Sequence, residues 1–244
     1  MSALVAAART ELAVNLRNGE QLLLTLGIPT LLLVFFSLVD VLPTPDGTDE
    51  PVDFLAPGIL ALAVISTAFT GLAIATGFER QYGVLKRLGA TPLGRPRLLG
   101  AKTVVVVAVL VVQLALLVPV GLVLGWRPDL APLTVVGAVV LAAVGFAGLG
   151  MLLAGTLPGL VVLAAANGVY LVLLLLGDLV IPLDELPGAL ASAARLLPSA
   201  ALAALLREGF GGDDAGRGAW AVLAVWAVVG PAAAARWFRW DPAR

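Results

Sequence analysis

The chain has 244 residues, 60% of them hydrophobic and only 13% charged, with a net charge of −1 and a mean hydropathy of +1.04. A water-soluble domain of this length needs a hydrated, charged surface, which such a composition does not supply. With no cysteine and no histidine, disulfides, thiol nucleophiles, imidazole bases and the usual zinc ligand sets are excluded.

Residues 1–21 read as an amphipathic interfacial helix. Leu4, Ala8, Leu12 and Leu16 recur every four residues, while Arg9, Glu11, Arg17 and Glu20 fall on other faces. Uninterrupted apolar runs follow, each long enough to cross a hydrocarbon layer about 30 Å thick. The spans are placed at 22–42, 54–78, 103–125, 134–155, 160–181 and 219–237. The first is read as retained, because Pro43-Thr44-Pro45-Asp46 follows it where a signal peptide has a small-residue cleavage site. Turn-rich breaks, Trp126-Arg127-Pro128-Asp129 and Thr156-Leu157-Pro158-Gly159 among them, separate later spans. Within the spans, Pro29, Pro57 and Pro119 are expected to start or kink helices. Gly121, Gly125, Gly145, Gly148 and Gly150 offer surfaces for close helix packing.

Residues 182–218 read as an outer segment containing two short helices. The 186–206 stretch is apolar, but Pro187 and Pro198 interrupt it, and Arg195 would sit near mid-membrane at about 3 kcal/mol. The fold class is therefore all-α, a single transmembrane domain of six spans. With the N-terminus in the cytoplasm, 11 of the 15 basic residues face inside, and only Arg127, Arg195, Arg207 and Arg217 face outside. Both termini are expected to be cytoplasmic. Trp126, Trp220, Trp237 and Trp240 fall where an interfacial aromatic belt would.

The informative segment is the cytoplasmic loop 79–102. It begins Glu79-Arg80-Gln81-Tyr82-Gly83-Val84-Leu85-Lys86-Arg87-Leu88-Gly89-Ala90-Thr91-Pro92-Leu93 and continues through Arg95 and Arg97 to Lys102. Val84, Leu85 and Leu88 sit at helical spacing among charges, and Pro92 ends the pattern by pushing Thr91 out of the α region. A short charged helix with one apolar edge suits a groove on a partner protein. The alternative for such a loop is a topological anchor that touches lipid headgroups.

These residues resemble the signature of ABC type-2 transporter permeases. Glu79, Arg80, Gly83, Leu85, Leu88, Thr91, Pro92 and Leu93 match it in order, and Phe54-Leu55-Ala56-Pro57-Gly58 fits the start of the second span. The resemblance implies a coupling helix in this loop, with Lys86 and Arg87 among its residues. It would seat on a separate nucleotide-binding ATPase subunit that holds the ATP and Mg. This chain would carry no cofactor or catalytic residue of its own. The resemblance also implies a second permease subunit, a homodimer before a heterodimer, in a bacterial cytoplasmic membrane and with no nucleic acid. The implied function is export, and the apolar spans suggest at most an amphipathic or lipid-like cargo. Gly94-Arg95-Pro96-Arg97-Leu98-Leu99-Gly100-Ala101-Lys102-Thr103 is no phosphate-binding loop of its own: the spacing is one residue too long, Ala101 separates Gly from Lys, and no strand precedes it.

Two further readings compete. Asp40 and Asp178, near the outer ends of spans one and five, would serve a stand-alone ion-coupled transporter. An intramembrane enzyme is disfavoured by the missing His and Cys and by the absence of clustered carboxylates in a cytoplasmic loop. Gln113 and Asn167 are polar residues within spans, read as interhelical hydrogen-bonding groups with substrate contact as the alternative.

Overall fold

The computed structural model describes residues 19–39, 51–85 and 95–240, with side chains over 25–39, 51–85 and 100–240. Most of the expected interfacial helix, together with Asp40 and the rest of the 40–50 connection, lies outside the described residues. Every regular element among the described residues is helical. In chain order they are α1 (Gly19–Leu38), α2 (Pro51–Gln81), α3 (Arg95–Val123), α4 (Pro132–Thr156), α5 (Gly159–Leu176), α6 (Gly188–Ala194), α7 (Pro198–Gly209) and α8 (Gly216–Trp237).

Length and composition decide which of these cross a bilayer. Five of them, α2, α3, α4, α5 and α8, are long and apolar enough. The 20 residues of α1 reach about 30 Å at about 1.5 Å per residue, which is also sufficient. The protein is thus an all-α, multi-pass membrane protein of about six spans. α2 and α4 are the most enclosed, whereas α5 and α8 turn most of their apolar side chains outward. Outward apolar faces are what lipid, unlike water, accepts.

The 7-residue α6 and 12-residue α7 are each too short to cross, and they are bent by 80° to one another. The chain enters and leaves this pair at one end of the bundle. Asp129 N donates to Phe210 O and Ala131 N to Gly209 O, so the end of α7 lies beside the α3–α4 turn. An added Cβ at Gly137 in α4 would stand 3.1 Å from the Trp220 ring, which places the start of α8 there too. The bend reaches deeper, because Trp226, about half-way along α8, donates its Nε1–H to Leu196 O at 3.0 Å. The pair therefore dips into the bundle and returns, burying Ala201, Leu202, Leu205 and Leu206 of α7.

Glycine sets the closest helix contact, α4 against α8. An added Cβ at Gly148 would overlap Pro231 N and Gly230 C outright, and one at Gly145 would lie 3.1 Å from Trp226 O. The backbones touch because no side chain separates them.

Within α2 the turn Ser66–Gly71 is π-helical. It presents Thr67, whose hydroxyl donates to Gln113 Oε1 at 2.9 Å, while Gln113 Nε2 donates to Thr25 O of α1 at 2.9 Å. One amide thereby joins α1, α2 and α3 where no water competes. Gln113→Leu is expected to lower stability by about 1 kcal/mol, within the range of interhelical hydrogen bonds in membranes. Thermal unfolding in detergent reads this, and an unchanged or raised Tm would show the bonds to be idle. Asn167 behaves differently: its Nδ2 donates to Leu163 O of its own helix and the residue is exposed.

Candidate functional site

The loop expected to be functional leaves α2 at Gln81 and rejoins the described chain at Arg95. Lys86, Arg87, Leu88, Thr91, Pro92 and Leu93 lie outside the described residues. The other four candidate residues are placed, and they face inward or shape the turn. α2 continues through Glu79 and Arg80 rather than stopping at residue 78, because both charges find partners.

Glu79 pairs with Lys102 at the base of α3, with Nζ 3.0 Å from Oε1 and 2.8 Å from Oε2. The Lys102 side chain is 3% exposed and that of Glu79 30%. The pair clasps the two helices that carry the loop. Lys102 was read in the sequence as the loop's last base, and its partner 23 residues upstream was not legible.

Arg80 is 3% exposed. Its Nη1 donates to Ala154 O at 2.8 Å and to Leu157 O at 3.0 Å. These carbonyls belong to the C-terminal turn of α4, where intrahelical donors run out and the helix dipole is negative. Arg80 thus acts as a cap supplied from another helix. Beside it lies a shallow depression of about 140 Å³ lined by Gly77, Arg80, Gln81, Leu157, Pro158, Gly159 and Leu160.

Gly83 holds φ +72°, a left-handed conformation that costs glycine least, and reverses the chain after α2. Leu85 is buried at 1% exposure. Tyr82, 68% exposed, and Val84, 39% exposed, point out of this frame instead. Val84 was read in the sequence as part of the loop helix's apolar edge, and Tyr82 was not singled out. The i, i+4 spacing of Phe78 and Tyr82, whose rings stack at 6.1 Å, was the available signal.

The opposite end of the bundle carries the second charged centre. α5 ends at Leu176, and Asp178 follows with φ 57°. Its Oδ2 lies 2.5 Å from Arg207 Nη1, its Oδ1 accepts from Leu183 N at 3.0 Å, and its carbonyl accepts from Arg207 Nη2. The Arg207 guanidinium also stacks over the Phe54 ring of α2, 4.2 Å from the centroid. Asp178 is thus a structural partner of Arg207. Trp126 at this end is 3% exposed and packs on Phe210 at 4.7 Å, so it fills the bundle instead of joining an interfacial belt.

Comparison with known proteins decides the family. The family description "ABC-2 type transporter" matches residues 2–210. The chain belongs to the ABC-2 type transporter family. A stretch of 121 residues is 35% identical to the daunorubicin resistance ABC transporter permease protein DrrB1 of Streptomyces coeruleorubidus. That match covers 49% of this chain and 42% of the relative, less than half of either protein. For an ABC-2 family member, the end bearing Glu79, Arg80 and Lys102 is the one of interest, because the loop with the resemblance emerges there.

Proposed function

We propose that this chain is the membrane-spanning subunit of an ATP-powered exporter, docked through its 79–102 loop on a separate nucleotide-binding ATPase subunit. The observation that carries the reading is the exposed pair Tyr82 and Val84 on a turn whose base is clasped by Glu79–Lys102 and Arg80. A rigid base with an aromatic and an aliphatic side chain facing outward suits a protein contact. ATP and Mg belong to the partner in this reading, and a second permease subunit, most simply another copy, completes the membrane unit. The bias of 11 basic residues among 15 supports a cytoplasmic position for the loop end and both termini, and the membrane in this reading is a bacterial inner one.

The cargo is proposed to be amphipathic or lipid-like and to move outward. Membership in the ABC-2 family supports the subunit assignment, and the relative's name, a daunorubicin resistance permease, supports efflux. The ion-coupled alternative loses one of its two acids, since Asp178 is engaged by Arg207 and Leu183.

Co-purification with candidate ATPase subunits tests the reading. Tyr82→Asp with Val84→Asp is expected to cut capture at least about tenfold, a loss of the size typical of a central interface residue, with the melting temperature unchanged. Capture by the double variant at the wild-type level would remove these residues from the interface. Failure of the wild type to capture any ATPase would end the exporter reading.

A further inference from the structure

We infer that Arg80 is a positioning residue that transmits movement of the 79–102 loop into spans four and five, and is not itself part of the docking surface. The inference rests on the exporter reading above and assigns a task inside it. A docking arginine has to reach the partner, and Arg80 is 3% exposed with its guanidinium turned into the bundle. Its two described acceptors, Ala154 O and Leu157 O, flank the end of α4. Both bonds come from the two N–H donors of Nη1, whose directions the planar guanidinium fixes, whereas a lysine ammonium is a point charge on a flexible stem.

What Arg80 grips cannot move independently of its neighbours. Thr156-Leu157-Pro158 leads directly from α4 into α5, which starts at Gly159. Leu157 is extended, Pro158 fixes its own backbone, and Pro158 O accepts from Val162 N at 2.8 Å. Gly155 O accepts from Arg239 N at 3.1 Å, which brings the end of α8 to the same point. Two consecutive residues therefore divide the load of the loop. Glu79 ties the end of α2 to α3 through Lys102, and Arg80 ties it to α4, α5 and, through Gly155, to α8. Without Arg80 the loop would still be closed at its base and α2 would still pack on α4 and α5, but no hydrogen bond from Arg80 would fix the end of α2 to the α4–α5 turn. Packed helices respond to such a push as discrete bodies, and a polar tie at the α4–α5 turn adds to packing in setting how closely that turn follows α2.

Arg80→Ala and Arg80→Lys, purified with the ATPase partner in lipid nanodiscs, test this. The readout is amide hydrogen exchange over residues 177–197, at the far end of the bundle, with and without ATP and vanadate. Arg80→Ala is expected to capture the ATPase as wild type does while its nucleotide-induced exchange difference falls about tenfold, and Arg80→Lys to fall less. A mechanical tie is also replaceable. An added Cβ at Gly159 would stand 3.5 Å from Gln81 Cβ, within the range a disulfide spans. The natural chain has no cysteine to interfere.

Gln81→Cys with Gly159→Cys in the Arg80→Ala background is therefore expected to restore the response when oxidised and to lose it when reduced. Loss of ATPase capture by an Arg80→Ala protein that melts as wild type would make Arg80 a docking contact and overturn the inference. So would a wild-type nucleotide response in Arg80→Ala, or no recovery on oxidation. Should Arg80→Ala fail to accumulate, a wild-type response in Arg80→Lys overturns it equally. A wild-type chain that captures no ATPase defeats the exporter reading itself, and the inference falls with it.

Discussion

Gly148→Ala is expected to sharply reduce the yield of folded protein, whereas Gly168→Ala, the same added methyl one span later, is expected to be silent or mildly stabilising. The difference lies in what the methyl meets. At Gly148 it would overlap Pro231 N and Gly230 C of α8, and a Cβ on the facing Gly230 would likewise overlap Gly145 O, so neither side of the seam has room. These neighbours are backbone atoms in a helix, with no rotamer to give way, so α4 and α8 must separate along their length. Overpacking of a close-packed interior costs about 1–3 kcal/mol and occasionally more. Here the upper end applies, because separation also forfeits the dispersion contacts of the whole seam. At Gly168 nothing lies within 4 Å of the added Cβ, and alanine is the better helix former by about 1 kcal/mol. Monodisperse yield and thermal unfolding in detergent compare the two directly. Equal melting temperatures would mean that the α4–α8 contact is looser than described.

The helices themselves were largely legible, because twenty apolar residues in a row admit few interpretations. The fourth span was placed at 134–155 and is found at Pro132–Thr156. The errors fall where tertiary contacts override hydropathy. The fifth span was extended through Leu179, Val180 and Ile181, which are apolar, yet the helix ends at Leu176. Leu179 leaves the helix to lay its backbone against Gly58 of α2, so closely that a Cβ there would overlap Leu179 O. The second and third spans were cut short at charges, Glu79 and Lys102, which pair with one another across the two helices and so remove the reason for stopping.

The same blindness limits the site. Sequence marks Arg80 as one base in a charged loop and says nothing of a carbonyl 74 residues away. It marks Leu85 and Val84 alike as apolar, though the first is buried and the second exposed. Gln113 and Asn167 are equivalent on hydropathy, but the π-helical turn of α2 delivers Thr67 to Gln113 and no described side chain comes to Asn167.

Arg207→Ala is expected to destabilise the protein by about 3–5 kcal/mol, the cost of leaving one member of a buried ion pair alone. Both side chains are mostly enclosed, 18% and 15% exposed. The arginine also covers Phe54, so truncation removes the partner of Asp178, a clasp between α5's exit and α7, and the cover of α2's first turn. Asp178→Ala should cost a similar amount for the mirror reason, since it strands the guanidinium. The double variant Asp178→Ala with Arg207→Ala is expected to lose much less than the two single changes added together, because no charge is then left without its counterpart. Thermal unfolding of the four proteins closes the cycle, and additive losses would deny that the two residues act as a pair. The cycle also bears on function. An acid that carried a proton across the membrane would have to exchange partners during transport, and its removal would change the pH dependence of flux with little effect on the fold. Asp178 spends both carboxylate oxygens and its carbonyl on holding α7 and Leu183. Its removal should therefore register as lost stability.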